Sequence, residues 1–185
     1  YIDIARPDHW FKNIFMFPGF ALALMLLDAP LNQTLIANII LAIISTCLIA
    51  SANYTINEWL DAEFDKFHPV KCKRPSVSGN LKAHWVYAQW TILSIIGLYI
   101  GYGLGNYFFV TLALLLVMGI LYNVRPIRTK DRIYMDVLSE SINNPLRLIL
   151  GWTAIISDIL PPSSVLIAYW MGGAFLMAIK RYSEY

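Results

Sequence analysis

The sequence predicts an all-α protein, a polytopic bundle of transmembrane helices, and three observations lead to this prediction. Of the 185 residues, 58% are hydrophobic and only 14% are charged, whereas a soluble domain usually has about 25% charged residues. The hydrophobic residues form stretches close to the roughly 20 residues that a helix needs to cross a bilayer. The charged residues lie between those stretches. This composition excludes a disordered chain, a nucleic-acid-binding domain and an ordinary soluble enzyme.

Six apolar stretches are candidate spans. The second, third and fourth are long and contain no Asp, Glu, Lys or Arg. The first and fifth are short and partly polar, and Pro18 lies inside the first, where neighbouring helices can satisfy a freed backbone group. The sixth ends directly before a charged segment. The candidates are residues 13–27, 35–56, 84–104, 107–123, 143–156 and 163–179.

The placement of charge orients these spans. Of the 26 charged residues, 24 lie in four groups, at residues 3–12, 58–82, 125–147 and 180–184. With six spans, all four groups fall on one face of the membrane, and they contain every Lys and Arg of the chain. The positive-inside rule makes this face cytoplasmic. We therefore expect a multi-pass integral protein of the plasma (inner) membrane.

The link between the second and third spans carries the first candidate site. It continues directly from the second span, so its first part should be helical, and Asn57, Asp61 and Asp65 then stack at successive i, i+4 positions. Glu58 lies beside them as a further candidate ligand. Carboxylate and amide oxygens suit Mg²⁺, which typically links one or two carboxylates to substrate phosphates. Cations that follow along the chain can hold the remaining phosphate oxygens. These cations are Lys71, Lys73 and Arg74.

A second interpretation of this link needs no ligand, because solvated charged faces are common on helices. Three features favour the metal site instead: an asparagine in register with the carboxylates, the helical continuation, and the basic cluster that follows. His68 and Pro69 are expected to end the helix, since a residue before proline is pushed out of the α region.

The link between the fourth and fifth spans carries a second polar group. If its later part is helical, Asp136, Glu140, Asn143, Asn144 and Arg147 form a stripe that runs into the fifth span. One interpretation is an internal ion-pair network of Asp136, Glu140 and Arg147 that only fixes packing. The functional interpretation places the stripe opposite Asp61 and Asp65, with anion-binding side chains at the rim. The candidate rim residues are Arg125, Arg128, Lys130, Lys180 and Arg181, with Glu184 in the same terminal group.

The motif Asn57-x3-Asp61-x3-Asp65 resembles the first Asp-rich motif, NDxxDxxxD, of the UbiA superfamily of intramembrane prenyltransferases. Residues 122–130 and the motif Asn144-x2-Arg147-x3-Gly151-Trp152 resemble its fourth-to-fifth region. That superfamily is all-helical with nine spans, so the resemblance implies that residues 1–185 form one UbiA-type domain, truncated at the C-terminus, with about six of nine spans. The candidate substrate- and phosphate-binding residues are Lys71, Lys73, Arg74, Tyr122, Arg128, Lys130, Asn144, Arg147, Lys180 and Arg181.

Three segments are most similar to the decaprenyl-phosphate phosphoribosyltransferase branch of the superfamily. They start at Arg6, His68 and Lys180 and read Arg-Pro-x2-Trp-x-Lys-Asn, His-Pro-x-Lys-x2-Arg-Pro and Lys-Arg-Tyr-x-Glu. Two departures stand out. Glu58 replaces the Asp of the family motif, which keeps the charge and changes its reach. The terminal segment lacks the DxxxD motif of aromatic prenyltransferases, which argues against an aromatic acceptor.

The resemblance implies a Mg²⁺-dependent integral-membrane transferase whose donor loses a diphosphate. The favoured reaction transfers 5-phosphoribose from PRPP to a polyprenyl phosphate, and the alternative transfers a prenyl group from a prenyl diphosphate to an aromatic or other lipophilic acceptor. The implied partners are membrane lipid, a polyprenyl (di)phosphate and a phosphorylated donor such as PRPP, with no nucleic acid. An ion-coupled transporter fragment that uses Asp136, Glu140 and Arg147 as a permeation path is the alternative of another class.

Overall fold

The computed structural model describes residues 1–27, 32–79 and 81–183. Within these ranges the ordered elements are all helical, as predicted, and no β-strand occurs. The α-helices are α1 (Phe17–Leu27), α2 (Gln33–Asp65), α3 (Pro75–Ser78), α4 (Ala83–Tyr102), α5 (Asn106–Asn123), α6 (Met135–Ser141), α7 (Asn143–Thr153) and α8 (Ser163–Ser183). Segments of 3-10 helix lie at Asp3–Ala5, Pro7–Met16, Lys71–Lys73 and Thr129–Asp131.

Three of the described helices, α2, α5 and α8, are long and apolar enough to cross a membrane. Helix α4 has 20 residues, but its tyrosine, tryptophan and histidine side chains lower its hydropathy. Helices α1 and α7 have 11 residues each, which is short for a span. The six-span count therefore stays a prediction. The predicted first span is divided, because its first residues belong to the 3-10 helix Pro7–Met16 and α1 starts at Phe17.

Helix α2 is the central element of the bundle. It has 33 residues and packs against both α4 and α5. Asn32 caps its N-terminus, since the Asn32 side-chain oxygen accepts a hydrogen bond from the Leu35 amide at 2.8 Å. The core around it is built from large buried side chains. They include Ile49 of α2, Phe108, Leu112 and Leu115 of α5, and Leu150 of α7.

Two glycines allow the N-terminal segment to lie directly against α7. A Cβ atom at Gly19 would collide with the Leu148 carbonyl oxygen, and one at Gly151 would collide with the Met16 carbonyl oxygen. Such close approach of small residues is a common way for helices to pack in membranes. The contact joins the 3-10 helix Pro7–Met16 and α1 to α7, which brings Asn13 of the 3-10 helix to Arg147 of α7.

Candidate active site

The C-terminal end of α2 has the predicted helical arrangement. The helix continues without a break through the second-to-third link and ends at Asp65, one turn before Pro69. Asn57, Asp61 and Asp65 therefore occupy successive turns of one helical face. The predicted helical continuation of the second span is confirmed.

Three side-chain oxygens of this region converge on one ammonium group. The Lys130 Nζ atom donates to Asp61 Oδ1 at 2.5 Å, Asn123 Oδ1 at 2.8 Å and Asn57 Oδ1 at 3.0 Å. We call Asn57, Asp61 and Asn123 the oxygen cluster. Burial lowers the pKa of Lys130, while the hydrogen bond and charge of Asp61 act in the opposite direction. The fourth-to-fifth link thus inserts a cation between α2 and α5.

Arg128 supplies a second cation to the same carboxylate. Its Nη2 atom donates to Asp61 Oδ1 at 2.9 Å, its Nε atom lies 2.7 Å from Asp131 Oδ2, and its guanidinium stacks 5.1 Å from the centre of the Phe64 ring. The Arg128 backbone has a φ of 31°, in the left-handed region that non-glycine residues seldom adopt. Such strain persists where several contacts fix a residue, as they do here.

Asp65 has a different partner. Its Oδ2 atom lies 2.5 Å from Arg74 Nη1, and the Asp65 side chain is only 7% exposed. A carboxylate at the C-terminal end of a helix is disfavoured by the helix dipole, so this ion pair offsets an unfavourable position. Lys71 and Lys73 are exposed and form no ion pair with any described residue. The predicted basic cluster is therefore divided, since Arg74 alone of the three contacts an acidic ligand candidate.

Replacing Arg74 with glutamine is expected to lower the free energy of unfolding by about 1.5–3 kcal/mol, because Asp65 would remain buried without its charged hydrogen-bond partner. Thermal unfolding in detergent measures this as a lower Tm. Lys73→Gln is the matched control, since Lys73 is exposed and unpaired among the described residues. Adding Asp65→Asn to Arg74→Gln should recover part of the lost stability. An equal Tm for Arg74→Gln and Lys73→Gln would contradict this role of the ion pair.

No hydrogen bond joins Glu58 to the oxygen cluster in the described structure. Glu58 is 3% exposed, and its Oε1 atom has no hydrogen-bond partner among the described residues. Among the residues that the structure describes, no group of three His, Cys, Asp or Glu side chains could hold a metal ion. Any metal at the end of α2 would therefore use amide oxygens as well as carboxylates.

The oxygen cluster has the donor chemistry that Mg²⁺ prefers. Mg²⁺ usually binds one or two carboxylates, keeps several waters and completes its shell with substrate phosphates. Asn57 and Asp61 supply an amide and a carboxylate oxygen, and Asp61 Oδ2 has no hydrogen-bond partner among the described residues. Lys130 already places a positive charge among these oxygens. The residues therefore fit a Mg²⁺ ion, provided that Lys130 moves to a neighbouring anion.

A cavity of about 390 Å³ connects α2 to the second polar group. Asn53 and Asn57 of α2 line one side, and the stripe from α6 and α7 lines the other. Most of the stripe thus lies across the cavity from Asn53 and Asn57, whereas Asp61 and Asp65, which the functional interpretation places opposite it, do not line the cavity. Five of the predicted site residues line the cavity: Asn57, Tyr122, Asn144, Arg147 and Lys180.

The interpretation of the stripe as an internal network in which Arg147 pairs with Glu140, with or without Asp136, is wrong for the described residues. Arg181 takes both carboxylates instead, with its Nε atom 3.0 Å from Asp136 Oδ2 and its Nη2 atom 3.8 Å from Glu140 Oε2. Arg147 donates to neutral oxygens, from Nε to Asn13 Oδ1 at 3.0 Å and from Nη1 to the Asn143 carbonyl at 3.4 Å. Glu184, expected in the terminal charged group, lies outside the described residues.

Sequence reasoning missed four residues of the site: Lys12, Asn13, Asn53 and Asn123. Asn53 lies one turn before Asn57 on the same face, so extending the i, i+4 series by one step would have found it. Its Oδ1 atom is buried without a partner in the described structure, and Gly119 leaves the space for its amide. Lys12 and Asn13 end the segment from Arg6 that resembles the phosphoribosyltransferase branch, but no local pattern indicates that Asn13 meets Arg147 across 134 positions of sequence.

Comparison with known proteins agrees with this architecture. The sequence profile of the UbiA prenyltransferase family matches residues 15–184. The chain is 28% identical to the decaprenyl-phosphate phosphoribosyltransferase of Mycolicibacterium smegmatis over 99% of its own length and 56% of that protein. It is also 28% identical to the nodulation protein NoeC of Azorhizobium caulinodans, over 100% of the chain and 57% of that protein. The chain thus spans less than two thirds of the length of these relatives.

Solved structures share the fold. One is a UbiA homolog from Archaeoglobus fulgidus bound to DMAPP and Mg²⁺, with a TM-score of 0.80 and 18% identity. The match covers 94% of this chain and 60% of the homolog. The structure of a UbiA homolog from the same organism bound to GPP and Mg²⁺ gives a TM-score of 0.82 at 18% identity, over 99% of the chain and 64% of its own length. The family profile covers nearly the whole sequence, and these structures have the same helical architecture. This chain therefore belongs to the UbiA prenyltransferase family.

Proposed function

We propose that this chain is part of a Mg²⁺-dependent integral-membrane transferase that acts on polyprenyl substrates, with a diphosphate as the leaving group. The observation that carries the proposal is the oxygen cluster at the end of α2, which meets buried cations of the fourth-to-fifth link beside a cavity. We place this end of the bundle at the cytoplasmic face of the plasma membrane, in keeping with the charge distribution.

The roles of the residues follow from their chemistry. Asn57, Asp61 and Asp65 would hold Mg²⁺, which neutralises the charge that develops on a departing diphosphate. Arg128 and Lys130 reach the Asp61 carboxylate now and can donate to phosphate oxygens when substrate arrives. Lys71, Lys73, Arg74 and Arg181 stay candidate phosphate-binding residues at the rim. Tyr122 and Asn144 line the cavity and are proposed substrate contacts.

The favoured reaction is transfer of 5-phosphoribose from PRPP to a polyprenyl phosphate. The bond between the anomeric carbon and the diphosphate oxygen breaks, the diphosphate leaves with the electron pair, and a phosphate oxygen of the acceptor bonds to that carbon. A phosphate monoester is ionised at neutral pH, because its second pKa is about 6. The attacking oxygen therefore needs no general base. The phosphoribosyltransferase named among the relatives supports this choice.

Prenyl transfer from a prenyl diphosphate to a lipophilic acceptor is the second candidate function. Its support comes from the UbiA homologs of the same fold, whose structures contain DMAPP or GPP together with Mg²⁺. The transporter alternative has no comparable support, since the chain belongs to a prenyltransferase family and Asp136 and Glu140 are engaged by Arg181.

A paired assay on the full chain, purified in nanodiscs, tests the proposal. We expect product from PRPP with a polyprenyl phosphate, and loss of that product when EDTA removes Mg²⁺. The second arm offers a prenyl diphosphate with aromatic acceptors under the same conditions. Product from the second arm alone would overturn the favoured reaction, and turnover that is unchanged in EDTA would overturn the metal requirement.

A further inference from the structure

One wall of the cavity carries cations that the oxygen cluster does not use. Among the described lining residues, the cationic side chains are Lys12, Arg147 and Lys180, and the carboxylate is Glu140. Glu140 accepts a hydrogen bond from Tyr122 at 3.3 Å and lies 3.8 Å from Arg181. The wall therefore has an excess of positive charge, which attracts an anionic ligand.

Arg147 is the most informative member of this wall. It is buried, with 9% of its surface exposed, and no described carboxylate forms an ion pair with it. Its hydrogen bonds to Asn13 and Asn143 fix the guanidinium without neutralising it, and Nη2 has no partner in the described structure. A buried charge without a counter-ion is costly, so the arrangement is suited to an anion that arrives with the ligand.

Lys12 is placed in a similar way. Its ammonium lies 5.5 Å from the centre of the Tyr54 ring and forms no ion pair with any described carboxylate. Burial lowers the pKa of Lys12, as expected for an ammonium taken from water without a close counter-ion. The side-chain oxygen of Asn13, the next residue, accepts a hydrogen bond from Arg147 Nε. The close contact of Gly151 with Met16 packs this segment against α7, so the two cations are positioned together.

The same cavity also has an apolar side, formed by Phe11, Phe15, Leu176 and Met177. A ligand that satisfies both surfaces has an anionic head and a hydrocarbon chain. We propose that Lys12, Arg147 and Lys180 bind the phosphate of a polyprenyl phosphate, at a subsite separate from the diphosphate site of Asn57 and Asp61. This inference rests on the proposed function, in which two phosphorylated substrates meet. Their mutual repulsion must be offset, and two separate sets of cations do so.

Direct binding measurements on the full chain in nanodiscs test the subsite without turnover. The probes are farnesyl phosphate, farnesol and inorganic phosphate, each without a donor. We expect Arg147→Gln and Lys12→Gln each to weaken farnesyl phosphate binding by roughly tenfold, the loss of one charged hydrogen bond or ion contact. The matched controls Arg132→Gln and Lys82→Gln remove one exposed cation each, outside the cavity lining, and should bind like the wild type.

The outcomes separate the alternatives. Unchanged farnesyl phosphate binding by both variants would overturn the subsite. Inorganic phosphate bound as tightly as farnesyl phosphate would identify a free-phosphate site and overturn the lipid ligand. Farnesol bound as tightly as farnesyl phosphate would overturn recognition of the phosphate by these cations. If Arg147→Gln does not fold, Lys12→Gln decides alone, because the Lys12 ammonium lies over the Tyr54 ring and forms no hydrogen bond or ion pair with a described residue.

Failure of the subsite differs from failure of the proposed function. Wild-type product from PRPP, together with normal farnesyl phosphate binding by both variants, would reject the subsite and keep the function. Farnesyl phosphate binding that depends on Arg147 and Lys12, without any product from PRPP, would keep the subsite and reject the donor.

Discussion

Replacing Asp61 with asparagine is expected to reduce turnover by roughly 100-fold, the scale of losing one preorganised electrostatic contact to a leaving group. Asp61 is the carboxylate that Lys130 and Arg128 share, at 2.5 Å and 2.9 Å. Asparagine keeps the size of the side chain and removes the charge, so the proposed Mg²⁺ ligand is weakened, Lys130 loses its counter-ion and Arg128 keeps only Asp131 among the described carboxylates. Product formation as a function of Mg²⁺ concentration measures the effect, and we expect half-maximal activity at a higher Mg²⁺ concentration.

The control for this substitution is Glu63→Gln, which removes one carboxylate from an exposed position of the same helix. It should retain turnover and the wild-type Mg²⁺ dependence. A second readout is the binding of Mn²⁺ to substrate-free protein, followed by electron paramagnetic resonance, which should weaken in Asp61→Asn and not in Glu63→Gln. Full turnover and unchanged Mn²⁺ binding in Asp61→Asn would contradict the proposed metal site.

The helices whose positions depend on local sequence could be predicted. Long apolar stretches predicted α4, α5 and α8 to within a few residues and the start of α2, because burial in lipid demands such stretches wherever a helix spans. The nine further residues of α2, to Asp65, were expected only as a helical continuation of that span. The 3-10 helix Pro7–Met16 was not predicted. It is held by tertiary contacts, such as the 2.8 Å hydrogen bond from Trp10 to Ser51, that leave no periodic pattern in the chain.

The candidate site also contains both residues that local sequence predicts and contacts that it does not predict. The i, i+4 spacing placed Asn57, Asp61 and Asp65 on one face because helical periodicity is a local property. The cations that contact Asp61 come from positions 67 and 69 residues further along the chain, so these contacts depend on how the fourth-to-fifth link packs on α2. The sequence indicated Arg128 and Lys130 as anion-binding residues, but not that both reach Asp61. Lys71 and Lys73, expected to hold substrate phosphate, are exposed.

The stripe of the fourth-to-fifth link shows why an internal ion-pair network does not form. Helices α6 and α7 are separated only by Ile142, so local spacing alone allowed Glu140 and Arg147 to pair. Helix α8 packs on α6 and brings Arg181 to Asp136 and Glu140. The Arg147 Nε atom donates instead to Asn13 of the N-terminal segment. These tertiary contacts, which no local pattern records, leave Arg147 as a cation that lines the cavity.

Replacing Gly151 with valine is expected to cost about 3 kcal/mol or more of folding free energy, at the upper end of the cost of overpacking. The added Cβ would collide with the Met16 carbonyl oxygen and lie close to the Phe20 amide. Both are backbone atoms, so no side-chain rotation can relieve the collision. The N-terminal segment must move away from α7 instead. Because Asn13 and Arg147 lie on these two segments, we also expect weaker binding of farnesyl phosphate.

Gly172→Val is the matched control, because a Cβ atom at Gly172 meets no atom within 4 Å. It places the same side chain on another apolar helix and should leave Tm and ligand binding close to wild type. Thermal unfolding of both variants in the same detergent separates overpacking at α7 from a general effect of valine on helices. Equal Tm values for the two variants would show that α1 and α7 do not depend on the glycine contact. A lower Tm and weaker farnesyl phosphate binding in Gly151→Val alone would show that the backbone contact between Gly151 and Met16 positions Arg147.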